Sequence, residues 1–205
     1  NALVDVDLAA AANSANPFGI SAVSRGTNQV TTDVGNQSFG AISAVMVGGL
    51  AESEDLYSAK VTLGKDNFTL SKLNVQTGYE TTVDTKTSPA KGGVDVNLGK
   101  IGYNAAIARS RTNAGAELVL DGTTLTVKGG PLDVTSSGTA TANAEVRSTE
   151  VNLGAITIGV SKSEADLSAN QAATLKLRNG SINGTKKLNV KSIVEKAEAT
   201  ANVGT

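Results

Sequence analysis

The sequence predicts an all-β chain folded as a β-solenoid, a parallel β-helix with about 19 residues per coil. Three observations predict it. Short motifs recur in a fixed order at a near-constant step. Each motif alternates apolar and polar residues, the period of a half-buried strand. The apolar content is carried by Ala, Val, Leu and Gly, with aromatics at 3% and no Trp. That suits a narrow core of stacked small side chains better than a broad centre filled with rings.

The repeat is the strongest of the three. A first motif reads Val45-Met46-Val47-Gly48, then Val96-Asn97-Leu98-Gly99, then Val151-Asn152-Leu153-Gly154, with a degenerate earlier copy at Val6-Asp7-Leu8-Ala9. An aliphatic follows each main copy, at Leu50, Ile101 and Ile156. A second motif is Ala59–Leu63, Ala116–Leu120 and Ala173–Leu177, in steps of 57 (116 − 59) and 57 (173 − 116). A third is Leu73-Asn74-Val75, Leu132-Asp133-Val134 and Leu188-Asn189-Val190, in steps of 59 (132 − 73) and 56 (188 − 132). The three motifs divide a block of about 57 residues into three units of about 19, each read as one coil. A single solenoid segment over residues 1–205 is expected, with degenerate coils in 1–40 and three related blocks in 41–92, 93–149 and 150–205. Some 10–11 coils would make a rod about 50 Å long at the interstrand spacing. A β-sandwich of short strands is the runner-up.

Turn chemistry punctuates the strands. Asp121-Gly122, Asn179-Gly180 and Asn183-Gly184 suit positive φ, and Gly48-Gly49, Gly92-Gly93 and Gly129-Gly130 are read in the same way. Pro17, Pro89 and Pro131 sit in turn-like surroundings, where a strand-rich fold tolerates them. Val194–Ala201 is read as strand, because its alanine alternation repeats that of Ala140–Val146. Small inward residues in those two stretches point to a tight cross-section. Phe68, Leu125 and Ile182 fall in register as core.

Charge excludes more than it suggests. Eighteen basic residues stand against 19 acidic ones, a net charge of −1. No basic footprint for nucleic acid or an anionic membrane follows, and the small groups Arg109/Arg111 and Lys186/Lys187 read as solvated surface. The chain has neither Cys nor His. That removes disulfides, thiolate chemistry, the usual zinc ligand sets and histidine acid–base catalysis. No transmembrane segment is expected, since the longest apolar run, around Ala41–Ala51, is short and broken by glycine. Asn1 stands where an initiator Met would, so the chain reads as a piece of a longer product whose export signal lies outside it.

Candidate sites are few, and no catalytic, cofactor or metal residue is assigned. Glu52, Glu54 and Asp55 place three carboxylates together and raise calcium as a ligand, against the plainer reading of a solvated loop. Gly64-Lys65-Asp66-Asn67-Phe68 carries a fragment of a calcium β-roll pattern without its repeat. Thr81, Thr82, Thr85 and Thr87 could form outward threonine ladders, although ordinary β-propensity accounts for them. The rings Phe18, Phe39, Phe68, Tyr57, Tyr79 and Tyr103 are scattered rather than gathered into a sugar-binding groove.

The coils, the Asn-Gly turns, the richness in Ala, Thr and Gly, and the stretches Val-Asn-Leu-Gly, Leu-Asn-Val-Lys-Ser and Ala-Glu-Ala-Thr-Ala-Asn-Val-Gly together resemble filamentous haemagglutinin-type exoproteins. More narrowly, they resemble the fusobacterial leukotoxin-like filamentous adhesins. The resemblance spans most of Ala41–Thr205 and less of Asn1–Gly40. It implies a right-handed β-helix. It further implies a large secreted or surface virulence factor of a Gram-negative bacterium, exported by two-partner secretion through an outer-membrane barrel that recognises a region not in this chain. Its partner would be the host cell surface, leukocytes in the leukotoxin branch, and it supplies no catalytic motif.

The function expected is therefore a structural and adhesive repeat segment of such an adhesin or toxin, without enzymatic activity or cofactor and monomeric as a fragment. Two alternatives come from other classes. One is a carbohydrate-active β-helix enzyme, recognised by a cleft with converging carboxylates. The other is a self-associating biofilm module, since the strand edges at the ends of a solenoid segment are unpaired.

Overall fold

Alternating polarity over long stretches folds here into long strands, not short ones. The computed structural model describes residues 1–8, 17–36, 39–40, 43–89, 95–147 and 150–204. Among them there are eleven strands and no helix: β1 (Ala2–Leu8), β2 (Phe18–Asn36), β3 (Phe39–Gly40), β4 (Ser43–Leu63), β5 (Asn67–Pro89), β6 (Asp95–Asp121), β7 (Thr124–Val127), β8 (Pro131–Arg147), β9 (Glu150–Arg178), β10 (Ser181–Asn183) and β11 (Lys187–Gly204). All pairings are parallel. One sheet runs β1-β4-β6 with β9 beyond β6 and β3 beside its start; the other runs β2-β5-β8-β11 with β7 and β10 alongside. The parallel sheets curl into a half-barrel and pack against each other across a shared interior.

The stacking step corrects the coil length expected from the motifs. Coils of about 19 residues would pair residues about 19 apart. Every ladder instead joins residues between 52 apart (Phe18 to Leu70) and 59 apart (Leu73 to Leu132). The whole block is one rung: a long strand out in the first sheet, a turn, and a long return in the second. The described residues give four rungs, β1–β2, β4–β5, β6–β8 and β9–β11. At the interstrand spacing they stack to about 19 Å, not 50 Å. The reason is physical. The motifs lie along uninterrupted strands of up to 29 residues, and no corner-forming turn divides one motif from the next within a wall.

Two of the three motifs are true columns. Ala59 pairs with Ala116 and Ala116 with Ala173, while Leu73 pairs with Leu132 and Leu132 with Leu188. Phe68, Leu125 and Ile182 share a column as expected, and Ala140–Val146 pairs residue for residue with Ala197–Val203. The first motif is only partly a column. Val96 pairs with Val151, but its partner on the other side is Phe39, and Val45 pairs with Gly102. Val6 pairs with Val61, which makes the early copy a member of the second motif. A register shift between Asn97 and Gly99 separates the offsets.

The turns follow the expected chemistry with two adjustments. Gly122, Gly129 and Gly184 adopt positive φ, and Asn179, not Gly180, takes that conformation in its pair. Gly48-Gly49 is not a turn but lies inside β4. The Gly92-Gly93 turn lies outside the described residues. Pro17 precedes β2, Pro89 ends β5 and Pro131 opens β8.

The interior grades in size across its width. Near the turns it is filled by Leu63, Phe68, Leu70, Leu73, Leu118, Leu120 and Leu132. At the far side it narrows to Ala51, Ala106, Ala108, Ala142 and Ala144 with Val83 and Val146. Between them Tyr57 and Tyr79 stack with ring centroids 5.8 Å apart and planes 10° from parallel. Glycine makes room for these rings: a Cβ at Gly138 would stand 2.6 Å from the Tyr79 ring, and one at Gly26 would stand 2.4 Å from that of Tyr57.

Because each rung is buried by its neighbours, position in the stack should set the cost of truncation. Leu132→Ala in the third rung, fully buried, is expected to cost about 2–5 kcal/mol. Leu188→Ala one rung further along the same column, where the side chain is half exposed, should cost about half of that or less. Urea unfolding of the two variants measures the difference.

Candidate functional site

Period two decides where every polar side chain goes, so the candidate residues sort first by face. In β4, Glu52 and Glu54 face solvent while Asp55 is buried. The three carboxylates therefore do not converge, and the segment is strand, not a solvated loop. Gly64, Lys65 and Asp66 form the turn from β4 to β5, where Asp66 accepts from the Asn67 amide at 2.7 Å. Thr81, Thr85 and Thr87 point inward and are buried, so they form no outward ladder.

Asp55 stands at the centre of a buried polar belt. Asn28 Nδ2 donates to Asp55 Oδ1 at 2.9 Å and Oδ2 at 3.0 Å, and to Ser53 Oγ at 2.8 Å. Ser53 Oγ donates to Asp55 Oδ2 at 2.7 Å, and Thr81 Oγ1 to the same oxygen at 3.1 Å. Thr112 Oγ1 reaches Thr81 Oγ1 at 3.4 Å from the next rung. A second polar column runs Ser24, Thr77, Ser136, Ser192 through all four rungs, with Thr77 donating to Ser136 at 2.8 Å. The side chains that hold Asp55 are neutral donors, which satisfies its oxygens without a counter-charge. A buried carboxylate held so firmly organises the two walls around it.

Burial next to this belt pushes the Tyr57 hydroxyl above its ordinary pKa of 10.0; the Asp55 charge adds to the rise and a Thr81 hydrogen bond opposes it. Tyr79 is likewise raised by burial, partly offset by the Gln171 amide donating to its oxygen at 2.7 Å.

The outer faces carry the charges, arranged in columns of alternating sign. Glu52, Arg109 and Asp166 lie on successive rungs, as do Glu54 and Arg111. Lys176 reaches Glu117 at 2.6 Å and Lys162 reaches Glu164 at 2.6 Å, the latter contact lowering the Glu164 pKa and raising that of Lys162. On the other wall Asn143 donates to Asp84 at 2.8 Å and Arg25 to Gln76 at 2.9 Å. Opposite charges across adjacent strands steady the register and cancel any field of one sign.

Two outer features remain. An open cleft of about 460 Å³ crosses the second sheet where Gly78 and Gly138 lack side chains, with Arg25, Glu80 and Glu195 along it. On the first sheet, large apolar side chains stand exposed in two outward columns, Tyr103 with Val160 and Leu50 beside the half-buried Ile107, with the Gly48–Ala105–Lys162 column between them. Sequence reasoning missed this patch, because the outward position of Leu50 and Tyr103 depends on the register of β4 and β6.

The raised tyrosines give a pH expectation. Their folded pKa values lie above the unfolded value, so their contribution to stability is complete below about pH 10 and is lost as pH rises through the folded values. Urea stability should fall above pH 10, and fall less steeply in the Tyr57→Phe/Tyr79→Phe double variant. For the belt, Asp55→Ala strands Asn28, Ser53 and Thr81 without their acceptor and should cost about 1–3 kcal/mol, read from the urea midpoint. No protein-family profile, curated protein or solved structure matches this chain.

Proposed function

We propose that the chain is a scaffold segment of a large secreted adhesin or toxin, a β-solenoid that extends functional regions and offers a lateral surface for contact with host cells. The observation that carries this reading is the stack itself. Successive rungs repeat the same columns, and polar contacts such as Thr77–Ser136 inside and Lys176–Glu117 outside cross from rung to rung. Such an arrangement gives length and stiffness without a reaction centre, because each rung is stabilised by the next. The composition and stretches that resemble filamentous haemagglutinin-type exoproteins supply the secreted setting and the host-cell partner.

In this reading the solenoid is a right-handed parallel β-helix with one coil per block of about 57 residues. Its handedness rests on the strong preference of parallel crossover connections for the right hand. Contact would be made on the first sheet, where Tyr103, Val160 and Leu50 stand exposed among self-neutralised charges, as apolar anchors within a polar rim commonly do.

Flow cytometry of the labelled chain on leukocytes, with a viability dye and an unrelated β-helix of similar length as control, tests this. Saturable binding above the control is expected. The Tyr103→Ser/Val160→Ser variant should weaken it by about tenfold, the loss of modest apolar anchors. Binding no greater than the control would remove the adhesive part of the reading and leave a spacer.

A further inference from the structure

Between the two long walls the stack has a narrow third face. Residues 67–70 at the start of β5 pair there with β7, and β7 pairs with β10, so the face crosses three rungs. Phe68, Leu125 and Ile182 form its inward column. The alternate residues face outward in two columns, Asn67–Thr124–Ser181 and Thr69–Thr126–Asn183, and every one of them is an amide or a hydroxyl.

The corner where this face meets the second wall carries lysine on the second, third and fourth rungs. Lys72 lies in β5, Lys128 in the turn before β8, Lys186 in the turn before β11, and Lys187 opens β11. All four are exposed. In sequence they stand apart by steps of 56 (128 − 72) and 59 (187 − 128), so only the stacking gathers them. The corner is well fixed. The Lys128 amide donates to the Leu70 carbonyl at 2.8 Å, and Gly129 turns the chain with positive φ. The Lys72 stem lies between two glycines: a Cβ at Gly19 would stand 2.9 Å from its Cγ, and one at Gly130 would stand 3.3 Å from its Cβ. A stem already confined loses less freedom when its ammonium binds. Among the described residues none of the ion pairs uses these lysines. Acidic side chains begin at Asp133, two residues into the second wall, and at Asp66 and Asp121 on the opposite corner.

We infer that this corner and the narrow face beside it bind a linear polyuronate, a polysaccharide with a carboxylate on every sugar, laid along the stacking axis. The cations recur once per rung, about 4.8 Å apart. One sugar of an extended chain advances by a similar length, so successive carboxylates meet successive lysines. Duplex DNA sets its phosphates closer, at about 3.4 Å along each strand, and offers no hydroxyls to the amide and hydroxyl columns. The sugar hydroxyls supply donors and acceptors for Asn67, Thr69, Thr124, Thr126, Ser181 and Asn183. The surface looks sideways from the stack, so rungs above or below leave it uncovered. The inference rests on this corner and does not depend on the adhesive reading of the first sheet.

Fluorescence anisotropy of end-labelled polygalacturonate titrated with the 205-residue chain tests it. Saturable binding is expected, weakening as salt is raised because the charges are exposed. The Lys72→Gln/Lys128→Gln variant should bind about tenfold more weakly. Lys60→Gln/Lys86→Gln removes the same charge from the long walls and should leave binding unchanged. Circular dichroism checks that both variants fold. Labelled neutral dextran should not bind, and a DNA duplex should bind more weakly than polygalacturonate. Absence of saturable binding overturns the inference, and so does an equal loss in the two lysine variants, which would make the effect one of net charge. Duplex DNA held as tightly as polygalacturonate overturns it as well, since the partner would then be any polyanion.

Discussion

The rest of this structure depends on the in-register parallel ladder. Once residue i pairs with a residue about 57 further on, each side chain stands directly above and below its counterparts, and the chemistry of a column must be compatible with itself. Leucine upon leucine, alanine upon alanine and serine upon threonine satisfy that constraint. Carboxylate upon carboxylate does not, and the outward columns accordingly alternate in sign. The two stacked tyrosines are accommodated by small neighbours on adjacent rungs: Tyr79 lies between Gly26 and Gly138, and Tyr57 between Ala2 and Ala114.

The interior departs from a plain hydrophobic core in one belt. Asp55, Ser53, Asn28, Thr81 and Thr112 occupy inward positions midway between the leucine-rich and alanine-rich ends. Their hydrogen bonds have direction, which apolar contacts lack. A slip of one strand by two residues would keep the apolar alternation but would strand these donors and acceptors. The belt thus specifies register where alternation alone leaves it degenerate. The charge of Asp55 makes that specification strict.

Much of this was legible in the sequence, for a definite reason. Columns preserve residue type, so Ala59, Ala116 and Ala173, or Leu73, Leu132 and Leu188, announce themselves by recurrence. The length of the coil was not legible. Period two runs unbroken through a strand of any length, so the motifs within one wall looked like successive coils. Val45 misled because Val, Gly and small polar residues repeat often in such a chain; the constant register of β4 on β6 sets it beside Gly102, not Val96. The inward turn of Asp55 was hidden for a related reason. Three acidic residues in four look like surface until the parity of the strand is known, and that parity is fixed by Ala59, Val61 and Leu63 downstream.

The orientation of the hydrogen bonds has a mechanical consequence. They run along the stacking axis, so tension applied along that axis through one end of a strand loads the ladder bonds a few at a time and not all together. The chain would come away as a strip torn from a laminate, at modest force, with each detached layer paying out its full contour. A layer of 57 residues, the step from Ala116 to Ala173, extends to roughly 190 Å at about 3.3 Å per residue. Pulled across the layers instead, along the strands, the same bonds share the load in shear. The material is therefore weak to peeling and strong to sliding, and its extensibility comes in large, nearly equal increments.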